Sequence, residues 1–345
     1  MSRRYVLRKL ATALLTIAAI VLLNFVLFRM LPGDPTRTFL PRSVTQERRE
    51  QIRQQLGLTQ PILPVQIVVS NDGIEIADFP ASLGQNQLWT YLGNLATLNL
   101  GDSFQERRPV VDVLAERIWP TVILVGVAEL AALLLGLAVG IRAGWKRGGM
   151  FDTLNINVAL ALYAVPLFWL GMVLLMAFAS PSGIKLFPTG HMITPGALFA
   201  SPVDQVLDVA WHTVLPATTL ALGLYAGYAL IMRSSIVEVL AEDYIVTARA
   251  KGLREGDILR RHAIPNALLP TVTLVALALG FILGGAIGVE QVYTWPGLGT
   301  LTVEAIDAKD YPVMQGIFLL LTVSVVLANL AADLVYGVLD PRVRT

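Results

Sequence analysis

The chain has 345 residues, of which 55% are hydrophobic and only 15% charged, and its mean hydropathy is +0.64. A soluble domain carries about a quarter charged residues, so this composition is that of a membrane protein. The net charge of +1 offers no general field for nucleic acid, and the lack of cysteine excludes disulfides, thiolate metal sites and thiol catalysis.

At the N-terminus Arg3, Arg4, Arg8 and Lys9 precede an apolar run over residues 10–28. At about 19 residues it exceeds a signal-peptide core, and no small-x-small cleavage pattern follows, so it reads as a retained first transmembrane helix. Arg29 lies at its far end, placed to snorkel to the interface. Further apolar segments near residues 121–141, 154–179, 213–232, 268–289 and 313–335 bring the expected number of spans to six. The basic residues alternate consistently if both termini are cytoplasmic. One inner loop then carries Arg142, Lys146 and Arg147, the next Arg233, Arg249, Lys251, Arg254, Arg260 and Arg261, and the short outer loops only Lys185 and Lys309. The division expected is a basic flank and first span (1–31), an extracytoplasmic segment (32–120) and a core of five spans (121–345).

Within the outer segment, residues 67–88 read as an insertion. Two alternating apolar runs flank Asn71-Asp72-Gly73 there, which signals a small β-hairpin. Pro166 falls inside the third apolar stretch, where a membrane helix tolerates proline if neighbours satisfy the freed carbonyl. In the fifth, Gly280, Gly284 and Gly288 repeat every four residues, a spacing that lets helices pack closely within the chain or against a second one.

The cytoplasmic loop over residues 233–268 is polar, basic and helical in pattern. Apolar residues recur at helical spacing up to Ala250, Gly252 interrupts, and a second helical run over residues 255–262 is closed by Pro265. The loop resembles the EAA loop of ABC importer permeases: Thr247, Ala248, Gly252, Ile264 and Pro265 match its spacing, whereas Val246 stands in place of Glu and His262 in place of Ile. The stretches DYIVTARAKGL and RRHAIPNA are similar to the dipeptide, oligopeptide and nickel subfamily. So are LPGDP, LNLGDSF, VEQVYTWPGLG, the DYP at Asp310 and the ending LDPRVR. The resemblance implies an all-α permease with six transmembrane helices of the type I importer fold, in a bacterial or archaeal cytoplasmic membrane. It implies a coupling surface made of Asp243, Tyr244, Thr247, Ala248, Arg249, Ala250, Lys251, Gly252, Leu253, Arg261, His262, Ile264, Pro265 and Asn266. The partners implied are a second homologous permease, two ATP-binding subunits and an extracytoplasmic substrate-binding protein. Di- and oligopeptides lead as substrates, with nickel chelates, glutathione and oligosaccharides as alternatives.

No phosphate-binding G-x-x-x-x-G-K-[ST] pattern occurs, so ATP and magnesium are expected on partner chains and no cofactor on this one. The three histidines lack metal spacing, and no hydrolase motif is present, so no catalytic or metal site is expected. Glu129 is the one charged residue well inside an expected span. It fits a helix–helix hydrogen bond, a pathway position, or the proton site of an ion-coupled carrier.

Overall fold

In the computed structural model the described residues are 3–30, 45, 47, 66–70, 73–77, 86–281 and 287–339. They form α1 (Arg3–Met30), β1 (Gln66–Ser70), β2 (Gly73–Ala77), α2 (Gln87–Ala96), α3 (Val110–Trp145), α4 (Met150–Ala164), α5 (Leu167–Phe178) and α6 (Pro202–Val239). After these come α7 (Asp243–Ala250), α8 (Glu255–Asp257), a π-helical run Ile258–Ala263, α9 (Ile264–Ala267), α10 (Leu269–Phe281), α11 (Ile287–Val292), α12 (Leu298–Ala308) and α13 (Tyr311–Leu339). The protein is an all-α membrane protein apart from β1 and β2, which pair antiparallel with Ile67 opposite Ile76.

Helices α1, α3, α6 and α13 are each long and apolar enough to cross a bilayer, and α4 with α5 forms a fifth, bent span. The segment expected at 268–289 coincides with α10 and the start of α11; residues 282–286 between them, and Gly284 with them, lie outside the described set. Helix α3 begins well before the apolar stretch and runs through Pro120.

One expectation fails at Pro166. The third apolar stretch is not one helix with a tolerated proline but two, bent by 103° at Val165–Pro166. Proline disfavours helical dihedrals at the residue before it. Val165 accordingly sits in extended geometry (φ −84°, ψ 128°) and Pro166 starts α5.

The chain divides into two compact units. In the larger one (Met1–Ala13, Arg117–Leu301 and Ser324–Thr345), α3 and α6 lie backbone to backbone. A Cβ at Gly140 would fall 2.7 Å from the Ala229 carbonyl oxygen and 2.8 Å from the Met232 Cβ. One at Gly144 would fall 2.8 Å from the Arg233 carbonyl, and Gly136 faces Tyr228. Close small-residue packing is therefore present on α3, which the sequence expectation did not single out. Of those three glycines, Gly288 touches Phe168 (3.2 Å from its Cβ), while the side positions of Gly280 and Gly284 are outside the described residues. Arg233 at the end of α6 reaches α4 through a two-pronged ion pair with buried Asp152 (2.5 and 2.8 Å), which also accepts from the Gly148 N–H at 2.9 Å.

In the smaller unit (Leu14–Glu116 and Thr302–Val323), buried Asp310 accepts from the Ser103 hydroxyl at 2.6 Å and the Gln105 N–H at 3.1 Å. The bond joins the LNLGDSF and DYP stretches across 207 positions of sequence. Arg108 forks onto both oxygens of Glu116 at 2.6 Å. Together with Glu106 these carboxylates hold its guanidinium pKa above the usual value.

Candidate functional site

The loop after α6 folds as a compact knuckle. Asp243 opens α7, and its carbonyl accepts from the Thr247 hydroxyl at 3.0 Å. Ile245 and Ala248 face inward, where they join Met232 and Ile236 of α6 and Ile258, Ala263 and Ala267 from the helices that follow. Leu137, Ile141 and Trp145 of α3 pack against the same cluster, as does Ile264. The loop is therefore seated on the ends of the α3–α6 pair.

Gly252 reverses the chain. Its φ is +75°, its N–H donates to the Arg249 carbonyl at 2.9 Å, and the Leu253 N–H donates to Ala248 at 3.3 Å. The two bonds, six-to-one and five-to-two, define a Schellman ending, which satisfies the last carbonyls of α7 and requires a left-handed residue at this position. Arg249 then bridges the turn to Glu255 at 3.1 Å. The two halves of the loop meet again at Tyr244, whose hydroxyl meets the Asn266 side chain. Its burial raises the phenol pKa, the Glu242 charge adds to the rise, and Asn266 opposes it. Asn266 also donates to the His262 carbonyl at 2.8 Å, and Arg261 lies 3.7 Å from Asp257.

The second helical run does not stop at Pro265. The π-helical turns of residues 258–263 continue directly into α9, in whose first turn Pro265 sits. A proline there costs no hydrogen bond that a first-turn N–H would make within the helix. What remains outward is an apolar tip (Tyr244 at 40%, Val246 at 57% and Leu253 at 42% exposed). Ala250, Lys251, Arg254 and Arg260 are exposed in the same loop, as are Glu242, Asp243 and Glu255. An apolar knob within a rim of mixed charge suits a cleft on another protein.

Glu129 is buried in α3, where its carboxyl accepts from the Tyr228 hydroxyl on α6. This is a helix–helix hydrogen bond beside the glycine contact. An amide oxygen accepts as well as a carboxyl oxygen, so Glu129→Gln is expected to leave uptake near the wild-type level. Loss of uptake together with its pH dependence would instead mark Glu129 as a proton site.

Glu290 belongs to the VEQVYTWPGLG stretch and lies near a helix end. It is fully buried at α11, and its carboxylate accepts from the Thr121 hydroxyl at 2.9 Å and the Thr300 N–H at 3.0 Å. Thr121 in turn accepts from the Leu298 N–H at 2.7 Å, and the Trp295 indole donates to the Pro120 carbonyl at 2.8 Å. Gly299 packs so closely that a Cβ would meet Glu290 Oε2 at 2.9 Å. The WPGLG turn is thus folded around one carboxylate and pinned to α3. Glu290→Gln presents an NH2 where the carboxyl accepts from the Thr121 hydroxyl and the Thr300 and Gly299 N–H groups, and leaving a buried group unsatisfied costs about 1–3 kcal/mol. A thermal-shift comparison of the purified variant with wild type is expected to show that loss.

Among the described residues no cluster of His, Cys, Asp and Glu has the arrangement to hold a metal ion.

Comparison with known proteins places these features. The family model described as binding-protein-dependent transport system inner membrane component matches residues 133–345, and the model of that family's N-terminal part matches residues 2–125. The glutathione transport system permease protein GsiC of Escherichia coli strain CFT073 is 36% identical over 340 residues, 99% of this chain and 98% of the relative. GsiC of Escherichia coli K12 is 35% identical with the same coverage. Among solved structures, the MetNI methionine ABC transporter in an inward facing conformation has a TM-score of 0.52 at 17% identity. The match covers 67% of this chain and 97% of that one.

Proposed function

Because the chain belongs to the family of binding-protein-dependent transport system inner membrane components, we propose that the α7 knuckle is the surface through which an ATP-hydrolysing subunit moves the membrane helices. The chain is a multi-pass permease of an ABC importer of the peptide type. ATP and magnesium belong to the partner subunits, two of which serve a pair of permeases. An extracytoplasmic binding protein delivers the cargo, and the knuckle and both termini face the cytoplasm. The cargo is a short peptide; relatives of 35–36% identity carry the name of glutathione transport, which favours a tripeptide of that kind.

The observation that carries this reading is the seating of the knuckle. Its inner face is continuous with the α3–α6 pair and its outer face is an apolar knob. Closure of two ATPases would displace the knob, and the pair would follow as a rigid body. Affinity purification of the tagged chain from native membranes in mild detergent tests the reading. Recovery of a second permease and ATP-hydrolysing subunits is expected. Recovery of the chain alone under several gentle conditions, with ion-driven uptake in liposomes, would overturn it.

A further inference from the structure

We propose that the break between α4 and α5 lines the aqueous translocation pathway and supplies backbone acceptors to the passing cargo. The proposal deepens the importer reading and rests on it.

The break is set by Pro166. An uninterrupted helix would bond the carbonyl of Leu162 to residue 166, but proline has no N–H to give. Extended Val165 swings its own N–H out of line, and no bond to Ala161 forms. The last four carbonyls of α4, those of Ala161, Leu162, Tyr163 and Ala164, have no following turn to bond them, and among the described residues no N–H from beyond α4 reaches them. The Leu167 side chain rests on Gly223, near the middle of membrane-spanning α6, so the break lies at depth. Irregular backbone at such depth is tolerated only when it is buried in protein or borders a water-filled cavity, because lipid offers no donors. Burial within this chain does not cover it. Tyr163 is 76% exposed, Phe168 51% and Trp169 50%, and Ala164 and Pro166 are exposed between them. A purely apolar cover, whether lipid or a neighbouring helix, would leave four acceptors unpaired, each costing several kcal/mol in hydrocarbon. Water satisfies them without that cost.

The same acceptors define what passes. They form a donor-seeking rim flanked in sequence by Tyr163, Phe168 and Trp169, with no Asp or Glu between positions 153 and 203. Amide N–H groups and a protonated amine match the carbonyls, and small apolar side chains match the rings. A short peptide carries both.

The chain contains no cysteine, which makes a direct test possible. Tyr163→Cys, Ala164→Cys and Trp169→Cys are placed singly in the assembled transporter in proteoliposomes. Each is treated with a membrane-impermeant methanethiosulfonate reagent, and labelling is read on this chain's band. Leu15→Cys, on the 73% exposed flank of α1, is the lipid-facing control. The variants are expected to react where the control does not. With the binding protein present, S-methylglutathione or trialanine at ten times its apparent Kd is expected to slow labelling about tenfold. Absence of labelling at all three positions in every nucleotide state, or labelling that neither probe slows, overturns the proposal. ATP dependence of uptake by the unsubstituted transporter is measured in the same vesicles. Uptake that needs no ATP would overturn the importer reading on its own, independently of the labelling.

Discussion

Gly252→Pro is expected to abolish ATP-driven uptake while the chain still inserts and accumulates in the membrane. Nothing lies within 4 Å of a Cβ at this position, so the effect is conformational and not steric. The native φ of +75° is closed to proline, whose ring holds φ near −65°. Proline also lacks the N–H that caps the Arg249 carbonyl. The combined cost is about 3 kcal/mol or more, and the chain avoids it by abandoning the Schellman turn. Residues 243–250 and 255–267 then lose their mutual register, and the Tyr244, Val246 and Leu253 knob is dispersed. Uptake and substrate-stimulated ATPase activity of the purified complex are measured side by side. Normal stimulated ATPase would sink the coupling role of the knuckle. Gly252→Asn separates geometry from residue identity: asparagine visits the left-handed region at small cost, so most of the uptake should survive.

Gly140→Leu is expected to remove the folded chain altogether. The nearest atoms to a side chain there include the Ala229 carbonyl oxygen at 2.7 Å and the Arg233 nitrogen at 3.2 Å, both main-chain atoms of α6 that no rotamer change can move aside. Overpacking usually costs about 1–3 kcal/mol, and a contact unable to yield belongs at or beyond the upper end. Since one or two kcal/mol alters the folded fraction about five- to thirtyfold, protease-resistant chain in the membrane should fall by at least that factor. Gly126→Ala, on the same helix with open space around its Cβ, is the matched control and should accumulate normally. Equal accumulation of Gly140→Leu would show that α3 and α6 do not need this contact.

Four of the six expected spans, and the bent pair that makes a fifth, were legible because apolar length is a bulk property of a segment, and the bilayer selects on that property. The knuckle was legible in part because its chemistry is local: Gly252 must turn the chain and Ala248 falls on the buried face, but the helical spacing of Tyr244 and Val246 pointed to the wrong side, since both lie outward and Ile245 fills the core. The break at Pro166 was half legible. Proline was visible, but whether a membrane helix bends or breaks there depends on what meets the freed carbonyls. The glycines of α3 repeat with the same four-residue spacing noted at Gly280, Gly284 and Gly288. That spacing says a close approach is possible and not which partner takes it, so α3 was passed over. The bonds from Ser103 to Asp310 and from Thr121 to Glu290 cross 207 and 169 positions, and no periodicity reports them. Pro265 misled because proline also suits the first turn of a helix, and here it sits in the first turn of α9.

The main-chain contact between α3 and α6 also has a mechanical meaning. An interface of long side chains is compliant: rotamers slip, and part of any imposed displacement is absorbed before the far helix moves. Two backbones in contact at Gly140 and Gly144 have no such slack. A shift of the knuckle, seated on the ends of both helices, would reach their far ends almost undiminished. The pair works as a push-rod without backlash, and its stiffness resides in the lack of side chains at three positions.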